Sequence, residues 1–236
     1  MDSLWTQLEP LLSRVEKPAR YIGCEGGAQR PVHDPSKVAW LLTYPDIYEI
    51  GLPNQGLQIL YEILNERPDA VAERSYAPWH DLEALLRQRG LPLFSVDTHR
   101  AAGDFDILAF NLSAELVYTN VLNCIDLAGA PVRSADRGPD DLLVACGGHC
   151  AYNPEPLADF VDFFVMGDGE EVVGEITEVV HAWKAAGRRS RDEVLLALAQ
   201  VPGVYVPSLY EPEYDGQRLL GVRPRVPGVP DIIEKR

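Results

Sequence analysis

Cys146 and Cys150 are the residues of this sequence best suited to chemistry. They enclose Gly147, Gly148 and His149, so two thiols and an imidazole share one short loop. An iron–sulfur cluster that leaves one iron open to substrate needs three thiolates. Asn153 stands where a C-x-x-x-C-x-x-C loop would place the third. A structural zinc site needs four ligands, and this loop offers fewer. The direct reading is a buried strand thiol at Cys146 and a loop thiol at Cys150. No G-x-S-x-G elbow is present, so no serine nucleophile with its triad can be argued. No G-x-x-x-x-G-K-[ST] loop is present, and Gly167-Asp168-Gly169-Glu170-Glu171 lacks the third glycine of a dinucleotide fingerprint. Its acids would repel a pyrophosphate.

Asp97-Thr98-His99 followed by Gly103 approaches the D-x-H-x-x-G pattern that ligates cobalt, but its glycine is one residue late. The plainer reading is an exposed loop histidine. His33 reads as part of a linker, His181 as a helix-face residue and His80 as surface in a first helical turn. Glu170 and Glu171 suit the dipole at a helix start without any catalytic role.

The elements that must position these groups alternate. Val38 to Tyr44 is a continuous apolar run, the kind a parallel sheet buries on both faces. Further strands are expected at 71–78, 91–96, 106–112, 142–148 and 162–170. Helices are expected at 55–66, 79–90, 113–129 with Ser113 as N-cap, 171–187, and 190–200 with a Ser190–Glu193 capping box. Parallel strands need crossover connections, so this alternation implies a parallel sheet with helices on both faces. Residues 3–16 form an amphipathic helix, and 17–36 an arm without strand period. Both are expected to pack outside the sheet. Residues 201–236 are rich in Pro, Tyr and Gly, with a hairpin turning at Asp215-Gly216 and a linker beyond. The expected organisation is therefore 1–36 helix and arm, 37–200 α/β domain, and 201–236 hairpin and linker.

In open sheets of this kind, ligands bind at the carboxyl ends of the strands. That selects the loops Pro45 to Asn54, Ser113 to Glu115, Gly147 to Pro156 and Gly167 to Glu170. The chain of 236 residues carries a formal charge of −15. Such an acidic surface disfavours sequence-independent nucleic-acid binding. No apolar run is long enough to span a membrane, and the N-terminus lacks a basic signal region. Sparse cysteines fit a reduced, cytoplasmic chain.

Three stretches together resemble a known family. VAWLLTYPDIYEIGLPNQGLQILYEILN (38–65) is similar to the opening of the N-terminal cobalamin-binding-type domain of radical SAM proteins. VACGGHCAYNPEPLADFVDFFVMGDGEEVV (144–173) is similar to its later signature, where Gly-Gly, an NPEPLAD segment and a G-[DE]-G-E turn follow in order. The arm KPARYIGCEGG (17–27) resembles the start of a subfamily of large proteins in which this domain precedes the radical SAM barrel. The resemblance spans roughly residues 17–210. It implies a flavodoxin-like, Rossmann-like sheet able to hold cobalamin on its strand-end loops. The positions so implied are Pro45, Gly51 and Leu52; Ser113, Ala114 and Glu115; Gly147, Gly148 and His149; and Gly167, Gly169 and Glu170. It implies no lower histidine ligand to the cobalt, and no metal ligand or catalytic residue in this chain. The [4Fe-4S] cluster and SAM are expected in a radical SAM catalytic domain, in cis or in trans, because C-x-x-x-C-x-x-C is not found here. The implied role is an accessory domain that places a corrin or docks that barrel. Two other readings stay open. One is a cofactor-free interaction module, the other a small stand-alone α/β enzyme using the Cys146–Cys150 loop.

Overall fold

A computed structural model describes residues 3–25, 28 and 31–236. Gly26 and Gly27 of the arm motif lie outside the described residues. The chain forms a six-stranded sheet in the order β2-β1-β3-β4-β5-β6. The strands are β1 (Val38–Tyr44), β2 (Ala70–Tyr76), β3 (Ile107–Asn111), β4 (Leu143–Gly147), β5 (Phe163–Val165) and β6 (Val204–Tyr205). The first five run parallel, and β6 pairs antiparallel with β5 at the edge. The order 2-1-3-4-5 is the flavodoxin-like arrangement of a doubly wound sheet. Every residue of β1 is buried, as its unbroken apolar run requires.

The helices are α1 (Trp5–Leu12), α2 (Tyr48–Gly51), α3 (Gln55–Glu66), α4 (His80–Arg89), α5 (Tyr118–Leu127), α6 (Gly169–Ala185) and α7 (Arg191–Leu198). The sheet grows in one direction from β1 to β2 and in the other from β3 to β4. Right-handed crossovers then put α3 and α5 on opposite faces. Trp40 in β1 donates from its indole to the Thr177 hydroxyl of α6 at 3.1 Å, so α6 joins the β1 face of the sheet. The Asn54 side chain caps α3 by accepting from the Leu57 amide at 2.9 Å. Ser190 caps α7 by accepting from the Glu193 amide, as its capping-box pattern foretells. Leu8 and Leu11 of α1 form a second apolar cluster with Leu82, Leu86 and Phe94, outside the sheet. The hairpin turns at Asp215-Gly216 between β7 (Tyr210–Asp215) and β8 (Arg218–Pro224).

Several sequence expectations change. Residues 91–96 do not form a strand. Leu93 donates to the Leu127 carbonyl and Ser95 to that of Arg100, leaving only the Val96 amide to reach β2 at Arg74. One bond builds no ladder, and Pro92 has no amide to give. The segment folds back on itself through a single Phe94–Ala101 bridge. Ser113 does not cap α5. A short 3-10 turn over Glu115–Val117 intervenes, and the Ser113 hydroxyl bonds Asn111 Oδ1 at 2.6 Å instead. His99 is not an exposed loop residue. It is buried between Trp5 and Phe94, with Nε2 2.8 Å from the Tyr21 carbonyl oxygen.

Two aspartates close the amino edge of the sheet. Asp106 accepts from the Ala39 amide and from Lys184, and pairs with Arg188. Asp162 accepts from the Val144 amide, Arg137 and Arg191 at 2.7, 2.9 and 2.8 Å. The site candidates selected from the sequence gather at the opposite, carboxyl edge.

Candidate site at the carboxyl edge of the sheet

Asn111 and Gly147 end their strands side by side in register. Strand alternation turns Leu42, Ala109, Asn111, Ala145 and Gly147 toward α3 and α6. Between that face and the two helices lies an apolar cavity of about 90 Å³, lined among others by Trp40, Leu57, Phe163 and Val173. Asn111, Gly147 and Gly167 reach its rim. Asn111 donates to Asn54 Oδ1 at 3.3 Å and accepts from Ser113, so three polar side chains link the loops after β1 and β3. Asn54 fell within a loop selected from sequence, but neither it nor Asn111 carried a motif. Only the register makes Asn111 a neighbour of Gly147.

The glycines at this edge differ in what lies over them. A Cβ on Gly147 would meet only the Val165 side chain, at 3.9 Å, so its face is open. Gly148 has φ +97°, and a Cβ there would stand 2.9 Å from the Leu112 carbonyl oxygen. That oxygen already accepts from the Cys150 amide. The Gly148 turn therefore wraps the chain's own backbone. Gly167 has φ +124°, and the backbone of Arg236 covers it. Arg236 donates its amide to the Met166 carbonyl at 2.9 Å and accepts from the Asp168 amide, while its side chain pairs with Glu171 and Glu175. Gly51 is packed against Tyr44 and Tyr76, and Gly169 against Leu60.

The remaining sequence-selected positions divide by exposure. Pro45 is buried and its carbonyl accepts from Asn120 at 2.9 Å. Leu52 is half-buried and accepts from Gln58. Ser113, Ala114, Glu115, His149 and Glu170 are exposed. Large apolar side chains stand free beside them: Leu116 is 91% exposed, Tyr152 53% and Ile50 51%. They come from the loops after β3, β4 and β1, so the rim presents apolar surface around a polar mouth.

Cys146 is buried in β4, and burial pushes its thiol well above the ordinary range. Among the described residues no three His, Cys, Asp or Glu side chains are grouped to hold a metal ion. Asp97-Thr98-His99 is engaged elsewhere. Asp97 pairs with Arg74 at 2.6 Å, Thr98 bonds Glu73, and His99 sits under α1. His33, read as linker, is hydrogen-bonded to the buried Glu73, with Nε2 2.5 Å from Oε1. Among the described residues no helix is long and apolar enough to cross a membrane.

Comparison with known proteins adds the following. A family model described as the N-terminal region of radical SAM proteins matches residues 56–207. No curated protein matches the chain. Among solved structures, the radical S-adenosylmethionine methyltransferase TsrM from Kitasatospora setae, with tryptophan substrate and a SAM analogue bound, is similar at TM-score 0.44 and 15% identity, over 71% of this chain and 28% of that one. The same enzyme with cobalamin and a [4Fe-4S] cluster bound is similar at TM-score 0.43 and 14% identity, over 72% and 27% of the two chains. This chain thus spans less than a third of those proteins.

Proposed function

The chain belongs to the family of N-terminal regions of radical SAM proteins, and from that premise we propose that it is an accessory region holding a corrin at the carboxyl edge of its sheet, facing a radical SAM catalytic domain. One observation carries the reading. Gly147 is open, at the mouth of an apolar cavity, on the edge where doubly wound sheets bind ligands.

The residues fit a broad, flat group lying across the loops. About 90 Å³ admits only a small apolar part of such a ligand into the cavity. The rest would lie on the rim, where Gly147 lets a macrocycle approach the backbone. Asn54, Asn111 and Ser113 would meet its polar edge, and Leu116 and Tyr152 would shield it from water. Bound cobalamin would supply its cobalt chemistry, and the protein's part is binding and orientation. Cluster and SAM chemistry belong, on this reading, to the catalytic domain. The chain works in the cytoplasm and touches neither membrane nor nucleic acid.

A second reading is favoured by Gly148 and Gly167, whose free space is filled by the chain's own backbone. The edge then serves as a cofactor-free docking face for the same catalytic domain. Gel filtration after incubation with hydroxocobalamin separates the two. Corrin absorbance that elutes with the wild-type protein and is lost in Gly147→Leu supports the first reading. Absorbance that never co-elutes leaves the second.

A further inference from the structure

Residues 17–25 run along the outside of the sheet and grip one loop of the candidate site. Arg20 donates from Nε to both carboxylate oxygens of Glu49, at 3.0 and 2.8 Å, and Lys17 adds its ammonium at 3.0 Å. Glu25 accepts from the Tyr48 hydroxyl at 2.5 Å and lies 3.8 Å from the Arg74 guanidinium. Tyr48 and Glu49 are neighbours in α2, the one helical turn of the loop after β1. On its other side the segment is anchored to the start of α4. The Arg20 guanidinium lies over the Trp79 ring, and the Tyr21 hydroxyl accepts from the Trp79 amide at 3.1 Å.

This seam is polar and incompletely satisfied. Arg20 Nη1, Glu25 Oε2 and the Tyr76 hydroxyl are buried without a hydrogen-bond partner among the described residues. Buried polar groups left unpaired are costly, and water repays that cost when a seam opens. Elements held by few apolar contacts are the ones that open locally before the whole fold does. The Arg20 guanidinium holds the Glu49 carboxyl down to about 2, so the latch stays charged across the ordinary pH range.

We propose that residues 17–25 form a strap that sets α2 at the rim of the candidate site, latched by the Arg20–Glu49 and Tyr48–Glu25 pairs. The inference rests on reading that rim as the binding edge, and it adds a positioning role for residues that touch no ligand. Glu49→Gln and Tyr48→Phe release the latch while keeping side-chain shape. The test is backbone amide exchange of the full chain without ligand. In each variant the amides of Ile50, Gly51 and Leu52 exchange about tenfold faster, the scale of one charge-assisted hydrogen bond. Exchange in β1, β3 and β4 and the melting temperature stay as in wild type. Loop exchange unchanged in both variants overturns the strap, and so does a rise spread over the whole sheet. Titration of hydroxocobalamin into the same proteins then reads the consequence for binding. A wild type that takes up no corrin removes the cofactor reading, while a loop that loosens in the variants still supports the strap.

Discussion

The carbonyl oxygen of Leu112 sits inside the turn made by Gly148, 2.9 Å from where a side chain on that glycine would begin. One residue earlier, a side chain on Gly147 would meet only Val165, at 3.9 Å. Two consecutive glycines at the end of β4 therefore do different work. The first leaves its face nearly uncovered, and the second lets the chain turn around its neighbour strand.

Substitution separates the two roles. Gly148→Val forces a branched side chain into φ +97° against the Leu112 carbonyl and is expected to cost about 1–3 kcal/mol. Gly147→Val leaves the melting temperature near wild type and abolishes corrin retention. Thermal melts and co-elution of hydroxocobalamin read the pair. A Gly148→Val protein as stable as wild type would sink the assignment of that glycine to the turn.

Asp162 is the sole carboxylate bonded to both Arg137 and Arg191 at the closed edge, among the described residues. Asp162→Asn leaves two buried guanidiniums facing a neutral amide. The expected loss is about 3–5 kcal/mol, the scale for removing one partner of a buried ion pair. A urea melt that moves by less than a quarter of this contradicts the account.

Glu73 links pH to stability. Burial pushes its carboxyl up, but hydrogen bonds from His33, Ser95 and Thr98 outweigh burial and leave it below the ordinary glutamate pKa. A carboxyl whose folded pKa is depressed stabilises the fold above its unfolded pKa. That contribution fades as pH falls below the ordinary glutamate pKa of about 4.3 and is gone beneath the folded pKa. Urea midpoints measured from pH 7 to pH 3 should fall more steeply in wild type than in Glu73→Gln. Parallel curves would remove Glu73 from the explanation.

The thiols should react in order of access. Cys24 is exposed and Cys150 half-buried, whereas Cys124 and Cys146 are buried. Ellman's reagent should modify Cys24 fastest, Cys150 next, and the other two only on unfolding. Anaerobic incubation with iron and sulfide should yield no stoichiometric cluster, since Asn153 replaces the third thiolate. A cluster lost in Cys146→Ala would overturn the reading of β4 as a buried strand.

Sequence by itself determined the layers of this protein. The unbroken apolar run of Val38 to Tyr44 and the alternation of strands with amphipathic helices leave little besides a parallel sheet, because such strands must be covered on both faces. Local chemistry also showed through: the Ser190 cap, the Gly90 helix end at φ +64° and the hairpin at Asp215-Gly216 each depend on a few adjacent residues. Leu91 to Val96 looked like a strand because composition reports burial, and this segment is buried. Where its amides point is decided by Leu127 and Arg100, far along the chain or around a bend.

The rim of the candidate site was legible as a set of loops and not as a set of contacts. Glycine after a strand signals a close approach, but the sequence does not say to what. Tertiary structure decided that Gly147 faces a cavity, Gly148 the carbonyl of Leu112 and Gly167 the backbone of Arg236. It also brought Asn111 beside Gly147, His33 onto Glu73 and Arg20 onto Glu49. Each of these pairings joins residues 29 or more positions apart. Side-chain periodicity carries information over a few residues. Only the closing of the sheet, with strands added on both sides of β1, selects partners over such separations.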